Sequence, residues 1–65
     1  MLILTKTGVL VNTDKVSNIY ADDGEVIAEF EDHSEILLGK YGFRCNDVII
    51  KIGECYGAIN FFRMP

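Results

Sequence analysis

Apolar and polar positions alternate in short runs up to about Lys40 and then recur at steps of three and four, which predicts a strand-rich part followed by a helix. Leu2 to Lys6 reads as a first strand, and Thr7-Gly8 supplies turn chemistry before the apolar trio Val9-Leu10-Val11, a hairpin pattern. Asn12-Thr13-Asp14 interrupts the run with side chains that bond their own backbone in turns. Val16 to Ala21 resumes it, and a second strand continuing through Asn12 on a bulge is compatible with the pattern.

Asp23-Gly24 then separates two strand-like runs, and this pair suits the positive φ angles of a type I′ hairpin turn. In the run that follows, Val26, Ala28 and Phe30 share one face, while Glu25, Glu29 and Glu31 share the other with Ile27, as in a sheet wet on one side. Asp32-His33-Ser34 predicts another tight turn before the strand Glu35 to Gly39, in which His33 or a neighbour takes positive φ, since Asp, Asn and His tolerate that best among non-glycine residues.

Beyond Lys40-Tyr41-Gly42 the residues Cys45, Val48, Ile49, Ile52, Cys55, Tyr56 and Ile59 form one stripe, the pattern of an amphipathic helix from roughly Arg44 to Tyr56. Gly53 costs that helix about 1 kcal/mol relative to alanine, and Gly57 suits the position just past its end. The last eight residues, Ala58 to Pro65, are too apolar to hang in solvent. They are expected to pack back as an extended segment or to dock on a second subunit. The expected fold is α+β, an antiparallel β-meander of about four strands followed by one C-terminal amphipathic helix and a short extended tail, with residues 1-65 forming a single domain.

Size and charge narrow the partners. A domain of this length hides only about 60% of the surface its unfolded chain exposes, and small domains commonly compensate with disulfides, a metal or a partner subunit. Two cysteines and a composition 49% hydrophobic favour the partner subunit, a homodimer. Six Lys and Arg against ten Asp and Glu give a net charge of −4, and the cations Lys6, Lys15, Lys40, Arg44, Lys51 and Arg63 stand singly. Nucleic-acid binding rests on clustered cations, so none is expected. No apolar run approaches the roughly 20 residues of a membrane span, and no secretion signal is evident, so a cytoplasmic protein without membrane contact is expected.

Candidate chemistry adds little. Ten residues of helix would hold Cys45 and Cys55 about 15 Å apart, beyond the ~7 Å reach of a disulfide, and both fall on the apolar stripe as small hydrophobes. His33 is the lone histidine and lies in a turn with no nucleophile or cleft implied around it. The carboxylates from Asp22 to Glu35 lack the spacing of a calcium loop. The six glycines form no phosphate-binding loop, and no serine sits at a strand elbow. No catalytic residue, cofactor or metal site is therefore expected.

The opening Met1-Leu2-Ile3-Leu4-Thr5-Lys6 resembles the start of the carbon storage regulator proteins, small RNA-binding dimers, and the likeness ends at Lys6. Over most of the chain, Asp14-Lys15-Val16-Ser17-Asn18-Ile19-Tyr20, Ile27-Ala28-Glu29-Phe30 and Glu35-Ile36-Leu37-Leu38-Gly39-Lys40-Tyr41 follow in order. With Arg44-Cys45-Asn46-Asp47-Val48-Ile49 and Arg63-Met64-Pro65, they resemble a group of short uncharacterised bacterial and mobile-element proteins with a Leu-Gly-x-Tyr strand end, a helix and a terminal Met-Pro. The resemblance implies a β-meander followed by a helix and carries no assigned activity. The chain departs from that pattern in a shorter strand-to-helix loop, in His33 where a turn glycine is usual, and in Gly53.

The leading expectation for function is a non-enzymatic, self-associating interaction module, since Phe43, Phe61, Phe62 and Met64 fall outside the periodic core and need cover. A second is a mobile-element inhibitor or adaptor that presents the acidic hairpin Asp22 to Glu35 to a basic host protein. A third is a small-ligand binder at a dimer interface lined by Tyr20, Tyr41 and Tyr56. The candidate partner-binding residues are Asp22, Asp23 and Glu25 on the hairpin and Phe61, Phe62 and Met64 on the tail.

Overall fold

Residues with positive φ set the path of the chain through its middle. Asp23 at 50° and Gly24 at 78° close a two-residue hairpin between β3 (Val16–Asp22) and β4 (Glu25–Phe30), the type I′ geometry that the Asp-Gly pair predicts. His33 at 71° turns the chain from β4 into β5 (Glu35–Lys40), where the Ser34 carbonyl accepts from the Phe30 amide and the Asp32 carboxylate accepts from the Ser34 amide. These three strands form an antiparallel sheet in the order β3-β4-β5.

The computed structural model describes residues Met1–Pro65 and is α+β, with two three-stranded sheets and one helix. The second sheet has the order β2-β1-β6, built from β1 (Leu2–Leu4), β2 (Leu10–Asn12) and β6 (Phe61–Arg63). β1 pairs antiparallel with β2 and parallel with β6, placing Ile3 between Val11 and Phe62. The helix α1 (Cys45–Cys55) follows a 3-10 turn at Gly42–Arg44.

Three expectations need correction. The strands do not form one meander: only β3, β4 and β5 do, and the first hairpin belongs to a separate sheet. The reason is local, because the Asn12 side chain accepts from the Asp14 amide and a 3-10 turn at Thr13–Lys15 ends β2 instead of a bulge carrying it on. The Thr13 amide and hydroxyl both donate to the Met1 carbonyl, at 3.0 and 2.8 Å, which pins this corner beside β1.

The helix is not strictly C-terminal either, because the tail after it forms β6 and packs on its own chain. Phe62 and Met64, expected among the side chains needing cover, are buried at 7% and 3% exposure in the shared core. Their partners there are Ile3, Val11, Val26, Ala28, Leu38, Cys45, Val48 and Ile52. The helical stripe is also shorter than its period suggests. Cys45, Val48 and Ile52 are buried, but Tyr56 lies outside α1 and is exposed with Ile59. A turn ends the helix there, with Tyr56 at φ −63° and ψ 125°, Gly57 at φ 83° and the Ala58 amide bonded to the Cys55 carbonyl, as in a type II turn.

The Leu-Gly-x-Tyr strand end has a direct structural use. Gly39 is buried, and a Cβ on it would lie 2.6 Å from the Tyr41 ring and 2.8 Å from its hydroxyl. The missing side chain lets the ring lie across β5, and the hydroxyl donates to the Pro65 carbonyl at 2.6 Å. Leu38-Gly39-Lys40-Tyr41 and Met64-Pro65, far apart in sequence, thus meet at one latch.

Two substitutions test these placements. Gly39→Ala should displace Tyr41 and destabilise the fold by about 1–3 kcal/mol through overpacking. Gly53 is helical, and a Cβ on it would meet nothing within 4 Å. Gly53→Ala should therefore stabilise by about 1 kcal/mol. Urea midpoints of the two variants, measured at one protein concentration, should move in opposite directions.

Candidate functional site

Each sheet turns one face inward and leaves the other without a covering layer. In the β2-β1-β6 sheet the inward row is Val11-Ile3-Phe62, and the register fixes the outward rows as Asn12-Leu2-Phe61 and Leu10-Leu4-Arg63. Four of those six outward residues are large and apolar. Leu10 is 54% exposed, Phe61 45% and Leu2 37%, while Leu4 at the centre is half-buried. Arg63 is the one charged side chain on this face.

The outward face of the β3-β4-β5 sheet has a different chemistry. Its rows are Asp22-Glu25-Lys40, Tyr20-Ile27-Leu37 and Asn18-Glu29-Glu35. Half-buried Tyr20, Ile27 and Leu37 make an apolar bar between two polar rows. Glu29 and Glu35 are direct cross-strand neighbours, a like-charge pairing that is unfavourable unless each carboxylate finds a donor. Each does: the Asn18 amide donates to Glu29 at 3.0 Å and the Tyr20 hydroxyl donates to Glu35 at 2.6 Å. His33 Nδ1 lies 3.8 Å from Glu29, and Lys40 Nζ lies 3.8 Å from Glu25.

The hydrogen bond to Glu35, aided by the surrounding carboxylates, pushes the Tyr20 phenol up to about 12. Asp32 is held below the usual carboxylate value by the bonds it accepts from Ser34. A third surface, a groove of about 250 Å³ between α1 and β3, is lined by Val16, Ile19, Ile49, Ile52 and Tyr56 with Gly53 at its margin.

The sequence-derived candidates separate in space. Asp22, Asp23 and Glu25 gather at the β3–β4 hairpin, with Asp22 and Glu25 directly paired. Phe61 is on the apolar outward face, whereas Phe62 and Met64 are interior. Phe43 projects from the Gly42–Arg44 turn at 98% exposure. The three tyrosines do not converge: Tyr20 bonds Glu35, Tyr41 bonds Pro65, and Tyr56 lines the groove. Every buried side-chain nitrogen and oxygen has a hydrogen-bond partner, and no group of three or more His, Cys, Asp or Glu side chains could hold a metal ion. No helix is long and apolar enough to cross a membrane.

Leu2, Leu4 and Leu10 were not among the candidates read from sequence. Their signal is nonetheless present, because Leu2-Ile3-Leu4 is apolar at successive positions and a strand with both faces apolar reads as one covered on both sides.

The link from Tyr20 to Glu35 gives a pH test with a defined sign. A raised phenol pKa favours the neutral, bonded form, so the link is intact below the ordinary tyrosine value of 10.0 and is lost as pH rises through about 12. Burial also raises the Tyr41 phenol, so an ultraviolet titration should find Tyr20 and Tyr41 both ionising above the normal range, and Glu35→Gln should bring only the Tyr20 transition down toward the ordinary value.

The chain matches no protein-family model, and neither curated proteins nor solved structures give a match, so a functional reading rests on the side chains themselves.

Proposed function

We propose that this protein is a non-enzymatic interaction module that works by associating with itself. The observation that carries the reading is the set of large apolar side chains left uncovered on a very small body: Leu2, Val9, Leu10, Phe43, Ile50, Tyr56, Ile59 and Phe61. Only 13 of 65 residues are buried, so a second subunit would add substantially to the apolar area removed from water. The polar groups that catalysis requires are not assembled in a cleft. His33 stands in an exposed turn, and the two cysteines lie at opposite ends of α1.

A second reading is supported by the outward face of β3-β4-β5. Glu25, Glu29 and Glu35 surround Ile27 and Leu37, a surface that suits a basic protein partner and fits the inhibitor or adaptor role. The two readings respond to salt in opposite ways. Apolar association persists or strengthens at high ionic strength, and docking on carboxylates weakens.

Sedimentation equilibrium from micromolar to millimolar protein tests the leading reading. A monomer–dimer equilibrium that survives 1 M salt, where the screening length is about 3 Å, is the expected result. A single monomeric species over the whole range would remove it.

A further inference from the structure

We infer that the open edge of β3 is the docking strand for a second copy of this chain, the two β3 strands pairing antiparallel about Ile19 so that two three-stranded sheets join into one. The inference rests on the self-association reading above and assigns it a surface. β3 ends the order β3-β4-β5, and its seven residues make it the longest strand of the fold. The other edge of that sheet is partly covered, because the Lys6 amide donates to the Leu38 carbonyl of β5. Edge strands are commonly blunted by lysine, proline or shortness, and Val16–Asp22 has none of these. The register shift between Val16 and Asn18 is confined to its start, and Asn18 to Asp22 stay in regular register.

The backbone defines the kind of occupant. Asp22 and Glu25 close a two-residue hairpin, so they and the alternate pairs before them, Tyr20 with Ile27 and Asn18 with Glu29, exchange the hydrogen bonds between β3 and β4. The same parity sends the even-numbered residues of β4 toward β5, as in the Phe30 amide bonded to the Ser34 carbonyl. Ile19 and Ala21 therefore aim their amides and carbonyls away from β4, and no turn, loop or cap bond uses them. An extended strand is the partner that satisfies such a row of donors and acceptors.

Charge complementarity along the strand selects β3 of a second copy. Ile19 is the midpoint of Val16–Asp22, so antiparallel pairing about it uses the whole strand and sets Val16 opposite Asp22, and Lys15 opposite Asp23, of the other copy. Each end of the pairing brings one cation against two carboxylates, twice over by the two-fold symmetry. The flank of α1 beside this edge points the same way. Asn46, Ile49, Ile50 and Gly53 recur at steps of three and four, apart from the buried Cys45, Val48 and Ile52, while Asp47, Lys51 and Glu54 take the opposite flank. Directly opposed residues of paired strands point to the same face of a sheet, so pairing about Ile19 lays the two helices on one face and encloses the groove lined by Ile19, Ile49 and Tyr56. A foreign peptide strand would satisfy the backbone and leave that flank in water, whereas a second copy covers both.

The test removes one edge donor without touching the β3–β4 ladder. Ala21 is exposed and its amide points outward, the setting in which an edge strand accepts proline. Ala21→Pro should weaken the dimer by about 100-fold or more, because the ring stands where the second strand must approach and the donor is gone. Lys15→Glu should weaken it by about 10-fold through like charges at both ends, and Lys15→Glu with Asp22→Lys, which again sets one cation against two carboxylates, should recover it to within about 3-fold of the parent. Leu10→Asp, on the β2-β1-β6 face, should leave it within about 3-fold. A Tyr20 phenol still ionising at about 12 shows that β3 keeps its place beside β5 in each variant.

Hydrogen exchange on the unaltered chain removes dependence on the variants. The Ile19 and Ala21 amides should exchange about 10-fold or more faster on dilution from the dimer to the monomer, while the Tyr20 amide, bonded within the sheet, keeps its rate. A parent chain that dimerises with its Ile19 and Ala21 amides unprotected, or that dimerises equally well as Ala21→Pro, would overturn this edge and leave self-association standing. A chain monomeric at every concentration would overturn both, and the edge would then be left to a strand of another protein.

Discussion

The small sheet exists because β1 is held between two strands that come from opposite ends of the chain. Ile3 sits at the crossing point, level with Val11 on one side and Phe62 on the other, and none of its surface reaches solvent. The antiparallel partner is local, reached through the Thr5–Val9 turn in which the Thr5 hydroxyl accepts from the Val9 amide. The parallel partner is distant, and β6 can arrive only after α1 has crossed the molecule. Parallel neighbours require such a long connection. The helix therefore serves two ends: it covers the inner face of the β3-β4-β5 sheet, and it returns the chain to β1. The Lys6 amide bonded to the Leu38 carbonyl then ties the end of β1 to β5.

The same arrangement explains why the two outward faces differ so much. β3 and β4 are joined by a turn rich in acid, and their outward positions alternate with buried Val26 and Ala28, so polar residues fall regularly on the wet side. The like-charge cost of Glu29 opposite Glu35 is offset within the sheet by Asn18 and Tyr20, which makes the face tolerable in water without a partner. The β2-β1-β6 face has no comparable network. Its strands are three residues long and carry leucines and a phenylalanine outward, and its side-chain hydrogen bonding is confined to the Asn12 cap on the Asp14 amide at one edge. Desolvating the first face costs ordered polar contacts, whereas the second offers mainly apolar surface, with Asn12 and Arg63 the polar side chains that would lose water.

Local rules were legible in the residues, and long-range ones were not. The Asp23-Gly24 turn, the positive φ of His33, the helical stripe through Cys45, Val48 and Ile52, and Gly57 at the helix exit are each decided by nearby sterics, and each stands where its residue type predicts. The pairing of β6 with β1 has no local signature, since Phe61-Phe62-Arg63 would look the same as a tail lying on any apolar surface. The end of β2 at Asn12 was decided by competition between two uses of one side chain, strand continuation on a bulge or capping of the Asp14 amide, and capping prevailed. The apolar outward face was legible in principle. Leu2 and Leu4 flank Ile3 with no polar alternation, and reading both sides of that strand, instead of its strand character alone, separates a sheet with one apolar face from a sheet with two.

That distinction bears on how such a short chain can hold a fold at all. A domain of this size has little interior to work with, and here much of it is assembled by one strand, β6, whose Phe62 and Met64 complete a core that the first 55 residues leave open on one side. Committing those side chains inward removes them from the surface and leaves Phe61, one position away and facing the opposite side, as the exposed aromatic ring of the tail. The alternation of a strand thus divides one apolar segment between two tasks. Odd-numbered Phe61 and Arg63 face outward beside Leu2 and Leu4, and even-numbered Phe62 and Met64 supply the interior. Because both sets of side chains hang on the same backbone pairing, loosening β6 would open the core and disperse the outward apolar patch together.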